Sequence, residues 1–179
     1  DNNTVDGGAD ADKITVSSGT SNSINGGDGN DSIEVTASSN TILGGDGNDH
    51  LTITGGNNTV DAGANDDEIT VGGSNNSVVS GSGADKISVS GGHNTIQSGD
   101  DADNITVSGN NNTVDGGAGA DKITVSSGTS NSINGGDGND SIEVNNDSNT
   151  ILGGAGEDHV TIAGDNNTVD GGADADKIT

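Results

Sequence analysis

The 179-residue chain has no cysteine, proline, methionine, phenylalanine, tyrosine or tryptophan, and only 4 lysines and arginines against 29 acidic residues. Each absence closes a route. With no aromatic or methionine side chains and a quarter of the residues hydrophobic, a thick globular core cannot be built. Without cysteine, disulfides cannot staple a thin one. A net charge of −25 disfavours nucleic acid and anionic membrane surfaces, which call for Lys and Arg, and favours cations as partners. No apolar run reaches transmembrane length and no signal peptide is visible at residue 1, so no membrane insertion is expected. Such a composition ordinarily means disorder, unless the few apolar residues are placed by a rule.

They are. Asparagine recurs at Asn3, Asn22, Asn40, Asn58, Asn76, Asn94, Asn112, Asn131, Asn149 and Asn167, in steps of 18 residues with two of 19. The longer steps hold one extra residue in the loops Ser17–Ser21 and Ser126–Ser130. Self-similarity at this period is the signature of a solenoid of about ten coils. Each coil reads Asn-[Thr/Ser]-[Val/Ile]-x, a glycine turn, x-[Ile/Leu/Val]-x-[Val/Ile], and a polar turn back. Period-2 alternation on both sides of the glycine turn predicts two short strands per coil. Inward slots fall at Val5, Ile14 and Val16, then Ile24, Ile33 and Val35, and so on through Val169 and Ile178, with Leu43, Val79 and Leu152 facing outward. The expectation is an all-β, right-handed parallel β-roll or β-solenoid, with residues 1–179 as a single repeat domain.

Above the coil lies a slower rhythm of three-coil blocks, 2–56, 57–110 and 111–165, with a fourth begun at 166–179. Asp165–Thr179 repeats Asp1–Thr15 without a change, and neither end has the atypical sequence of a cap. A segment of a longer array is expected, or ends that self-associate with other copies into a filament or lattice.

The glycine turn carries the chemistry. Gly26-Gly27-Asp28-Gly29-Asn30-Asp31-Ser32-Ile33 returns as Gly44-Gly45-Asp46-Gly47-Asn48-Asp49-His50-Leu51, and more loosely in every coil. The second glycine is invariant, and two residues later only Gly, Asn or Asp occurs, as a left-handed backbone demands. Two residues further on every coil has aspartate: Asp12, Asp31, Asp49, Asp67, Asp85, Asp103, Asp121, Asp140, Asp158 and Asp176. Stacked at one coil spacing, bare carboxylates would repel by roughly 3–4 kcal/mol per neighbouring pair at an effective dielectric near 20. Such a column calls for cations. Carboxylate and carbonyl oxygens, with no His or Cys in the column, select Ca²⁺ over zinc or copper, and Mg²⁺ fits less well.

The spacing Gly-Gly-x-Gly-x-Asp-x-U-x, with U a large aliphatic residue, resembles the nonapeptide of RTX (repeat-in-toxin) calcium-binding proteins over the whole chain. That resemblance implies a parallel β-roll in which turn carbonyls and aspartates of adjacent coils share each ion. Carried onto this sequence, the ligands are the aspartate column with the leading glycines Gly7, Gly26, Gly44, Gly116, Gly135, Gly153 and Gly171. The opposite turn, for example Thr54-Gly55-Gly56-Asn57, has no aspartate in register, so about nine ions are expected along one edge only. This one-edge pattern is similar to repeats of bacterial surface adhesins, one of them ice-binding. In coils four to six Ala62, Ser80 and Ser98 replace the leading glycine.

The asparagine column is expected to hydrogen-bond along the rod. Two outward columns of Thr and Ser start at Thr4 and Thr15, the second broken by Glu34 and Glu143. They suit a solvated β face, or an ice-binding one, although Asp46 and Ala118 stand where ice-binding repeats place threonine. Lys13, Lys86, Lys122 and Lys177 share a third column with His50 and His159 and should deter lateral aggregation. No His sits beside a Ser as in a triad and a rod has no cleft, so an enzyme is not expected. The resulting expectation is a calcium-rigidified structural segment of a secreted or cell-surface bacterial protein, as adhesin spacer, S-layer or filament. The alternatives are an ice- or polysaccharide-binding module, or the RTX tail of a secreted enzyme or toxin.

Overall fold

One inward aliphatic alternating with outward Thr, Ser or charged residues is a strand pattern, and a chain that repeats it every coil can bury those residues only against its own neighbours. The computed structural model, which describes residues 1–179, has that architecture. Ten six-residue strands, from Thr4–Ala9 and Ser23–Asp28 to Thr168–Ala173, form one parallel sheet. Ten shorter strands, from Lys13–Val16 and Ser32–Val35 to Lys177–Ile178, form a second. The chain alternates between the sheets, so each strand pairs with its equivalents one coil before and after. The product is a parallel β-solenoid of ten coils, two strands to a coil, without a helix. Accordingly no helix is long and apolar enough to cross a membrane.

Pairing is in register, so each inward slot stacks on itself: Ile24 on Ile42, Ile14 on Ile33 and Ile33 on Leu51. A continuous cluster of 26 residues results, in which Ile24, Ile42, Leu51, Ile69, Ile96 and Ile105 lose all exposure. At about 1.5–3 kcal/mol for each fully buried aliphatic side chain, this thin seam is the main cohesion between the sheets. Leu43, Val79 and Leu152 do face outward. The slots of the terminal coils differ from the rest: Val5, Val16 and Val169 are only partly buried and Ile178 is half exposed, because a neighbouring coil covers them on one side alone.

The turn glycines are demanded by geometry. All ten residues two places after the invariant glycine have positive φ, including Asp10, Asn65, Asp101 and Asp174 at 74–79°. At the invariant position itself the backbone nearly touches the coil before it. Gly81 has φ +115°, and a β-carbon there would lie far inside contact distance of the Gly63 carbonyl oxygen. Gly81→Ala must therefore adopt a left-handed backbone and also push two coils apart. It should lower the stability of the calcium-loaded protein by about 3 kcal/mol. Urea unfolding at saturating calcium measures this, and a loss below about 1 kcal/mol would mean the turns have slack.

Another left-handed residue per coil was not anticipated. It immediately precedes each ladder asparagine, at Asn2, Ser21, Ser39, Asn57, Asn75, His93, Asn111, Ser130, Ser148 and Asn166, with φ 56–61°. Only Asn, Ser and His occur there, and that restriction is the sequence signal. The lysine column projects from the outer face of the second sheet, where Glu68 meets Lys86 Nζ at 2.5 Å and His50 Nδ1 at 3.2 Å. Lys86 beside it holds the Glu68 carboxyl below its usual range. Exposed pairs of this kind contribute little to stability.

Candidate metal-binding edge

Every turn must satisfy backbone groups that no strand partner reaches, and the two edges do so with the same device. On one edge each asparagine Oδ1 accepts the backbone N–H of the asparagine one coil earlier, at 2.8–3.0 Å from Asn3–Asn22 through Asn149–Asn167. On the other edge each aspartate Oδ1 accepts the N–H of the preceding coil's aspartate, at 2.7–3.0 Å from Asp12–Asp31 through Asp158–Asp176. The ladders are isosteric. They differ in the second head atom.

In the asparagine ladder that atom is a donor and finds an acceptor. Asn58, Asn76 and Asn94 donate from Nδ2 to the carbonyls of Ala37, Gly55 and Gly73, at 3.0–3.1 Å. In the aspartate ladder it is another acceptor and finds nothing. Oδ2 of Asp12, Asp31, Asp49, Asp67, Asp85, Asp103, Asp121, Asp140 and Asp158 is buried without a hydrogen-bond partner. Native proteins rarely leave such groups orphaned, because each one costs its full desolvation.

The surroundings of these oxygens are acceptors too. The leading glycine lies inside the turn, and the space where its β-carbon would stand is closed on by two oxygens. For Gly26 these are Asp31 Oδ2 and the Gly44 carbonyl; for Gly116 they are Asp121 Oδ2 and the Gly135 carbonyl; for Gly153 they are Asp158 Oδ2 and the Gly171 carbonyl. Gly7, Gly44 and Gly135 repeat the arrangement, and Gly171, in the last coil, meets Asp176 Oδ2 alone. The structure thus gathers the aspartates and leading glycines named from sequence onto one edge, a carboxylate oxygen and a carbonyl oxygen to a gap. Nowhere do three or more His, Asp or Glu side chains converge. An ion held here would draw the rest of its oxygens from the backbone, which suits a hard cation with a flexible shell such as Ca²⁺.

Burial raises the aspartates' affinity for protons. Asp67 and Asp121 are pushed up to about 7 and Asp103 to about 6, chiefly by burial, with the ladder N–H opposing, joined at Asp103 by the Ser98 hydroxyl, and neighbouring carboxylates adding. Asp49, Asp85, Asp140 and Asp158 are raised in the same direction, again mainly by burial. Mutual repulsion between the stacked carboxylates is therefore the smaller effect, and desolvation the larger. The rest of the surface has no enclosed site: two open grooves of about 260–280 Å³ lie on the first sheet near Leu43 and at the end of the core near Val5 and Val16.

No curated protein sequence matches this chain. A model of a family of unknown function, DUF3060, matches residues 85–130. In solved structures the solenoid is similar to a hyperactive, Ca²⁺-dependent, β-helical antifreeze protein from an Antarctic bacterium, with 28% identity and a TM-score of 0.71. The match covers 97% of this chain and 65% of that one, so the chain spans less than two thirds of that protein's resolved length. The model of the RTX calcium-binding nonapeptide repeat matches residues 1–21, 16–51, 52–87, 125–160 and 163–179. Matched by it over most of its length, and built as a parallel solenoid with an acidic turn in every coil, the chain belongs to the RTX calcium-binding nonapeptide repeat family.

Proposed function

We infer that this solenoid is a calcium-rigidified spacer of an extracellular or cell-surface protein, with its calcium held along the single aspartate edge. The nine orphaned carboxylate oxygens, one to each gap between coils, carry this proposal. The residues that would hold the metal are the ladder aspartates, through Oδ2, and the leading turn residue of the following coil, through its carbonyl. Calcium would supply the positive charge and the hard-oxygen coordination that the edge lacks. The chain's own contribution is to stack ten turns in register, so that each carboxylate is tied to the preceding coil through the ladder. A rod of this kind fits a repetitive part of an adhesin, a surface lattice or a filament.

Folding and binding are then one event. A chain of charge −25 with a thin core repels itself without counter-ions and collapses onto its ladders when they are neutralised. That suits export through a low-calcium cytosol into a medium with millimolar calcium, where extracellular modules bind at about 10⁻⁴–10⁻³ M. The far-ultraviolet circular dichroism at pH 7.5 should be that of a disordered chain in chelator and of a β protein in 5 mM calcium, roughly five times the weakest of those constants. An unchanged spectrum would remove the inference.

Ice binding is the second reading, favoured by the likeness to the antifreeze protein and by the unbroken hydroxyl column from Thr4 and Ser23 to Thr168. Against it, Asp6, Asp61, Asp115 and Asp170 stand beside that column on the same sheet, and Glu34 and Glu143 break its counterpart on the other. The expected result is no thermal hysteresis from the calcium-loaded chain. A measurable freezing-point gap would reassign the hydroxyl face.

A further inference from the structure

The nine gaps are not equivalent. In six of them the coil that offers the carboxylate leads its turn with glycine: Gly7, Gly26, Gly44, Gly116, Gly135 and Gly153. There the carboxylate Oδ2 and the next coil's carbonyl oxygen approach the space a β-carbon would fill, with no donor between them. The remaining three have Ala62, Ser80 and Ser98 at that place, each with no exposure at all. The serines answer the oxygen that the glycine gaps leave facing the carboxylate. Ser80 Oγ donates to the Ser98 carbonyl at 2.6 Å, and Ser98 Oγ donates to the Gly116 carbonyl at 2.5 Å.

A hydroxyl committed in this way occupies the room and engages the carbonyl that a cation would otherwise use. The Ala62 methyl occupies the same room with no oxygen to offer. Calcium needs six to eight oxygens at about 2.3–2.6 Å, and it gains nothing from displacing a buried neutral hydrogen bond that is already well made. The serines reach the next coil over the same short distance in both gaps, so the arrangement is built and not accidental.

We propose that calcium occupies only the six glycine gaps, in two runs of three, and that coils four to seven are joined without metal, through the Ser80 and Ser98 hydroxyls. This rests on the aspartate edge being the calcium site. It divides the rod into two metal-dependent halves about a central segment in which Asp67, Asp85 and Asp103 keep their buried Oδ2 atoms without a metal partner.

The test is a count of bound ions by competition against a chromophoric calcium chelator, with circular dichroism followed in parallel. The natural chain should bind six ions, the A62G/S80G/S98G variant nine, and Gly116→Ser, which extends the serine run by one coil, five. Nine ions in the natural chain would overturn the partition, as would a folded triple variant still at six or a Gly116→Ser protein still at six. Should the triple variant fail to fold, the natural count and Gly116→Ser decide alone. A natural chain that binds no calcium and keeps one spectrum throughout would instead overturn the parent assignment, and the partition with it.

Discussion

Replacing all ten ladder aspartates by asparagine should yield a chain that folds in chelator and ignores calcium. The opposite edge already shows why. There the same Oδ1-to-N–H ladder is made by asparagine, and the second head atom donates to a carbonyl. Asparagine at the aspartate positions keeps the ladder acceptor and turns the orphaned Oδ2 into a donor aimed at the next coil's carbonyl. It also removes ten negative charges from a chain of net −25. For the single change Asp121→Asn, removing one buried unpartnered acceptor should stabilise the metal-free fold by about 1–3 kcal/mol. At saturating calcium the same change should destabilise, since one ion loses a carboxylate. Urea unfolding of Asp121→Asn in chelator and in calcium should therefore give shifts of opposite sign. For the tenfold variant, a β spectrum in chelator is the expected observation. A tenfold variant that stays disordered would mean that something other than the carboxylate edge holds the apo chain open.

The period, the two strands and the inward slots could be seen in the sequence because each depends on local alternation repeated many times. Ile24 and Ile33 sit two sides of a glycine turn apart, and their equivalents recur so regularly that pairing with the next coil was the one arrangement able to cover them. The positive φ at Asp10, Asn65, Asp101 and Asp174 was legible for the same reason, from a column restricted to residues that tolerate it. The balance of forces on the aspartates was less accessible. Repulsion can be computed from a spacing, but desolvation depends on how deeply Asp67 or Asp121 is sunk beside the core, and that is a property of packing. The difference between the two ladders was hidden as well. Asn58 and Asp67 both look like turn residues in a list of letters, and only the shared Oδ1 geometry reveals that one head group is satisfied and the other is not. Likewise Ser98 read as a lapse from the glycine pattern, whereas its hydroxyl bridges to Gly116.

Acid should fold the chain in the absence of calcium. A proton on Oδ2 does what the asparagine amide does: it removes the charge and supplies a donor to the neighbouring carbonyl. The direction follows from the raised values of the buried aspartates. Unfolded, each titrates near 3.8; folded and metal-free, Asp103 is raised to about 6 and Asp67 and Asp121 to about 7. Between those values the folded chain holds protons that the unfolded chain has released, so folding is favoured as pH falls. The stabilisation is complete below about pH 4 and is lost as pH rises through 6 to 7, which leaves the neutral, metal-free chain unfolded. In calcium the dependence near neutrality reverses, because protons and metal compete for the same oxygens and acidification weakens binding. The experiment is a titration of the β signal in chelator from pH 7.5 down to 5, which stays above the isoelectric point of about 4.1 and so avoids precipitation. The signal should rise with a midpoint near 6, and the apparent calcium affinity should fall over the same interval. A chain that stays disordered down to pH 5 would show that neutralising the buried column is not sufficient to close the coils.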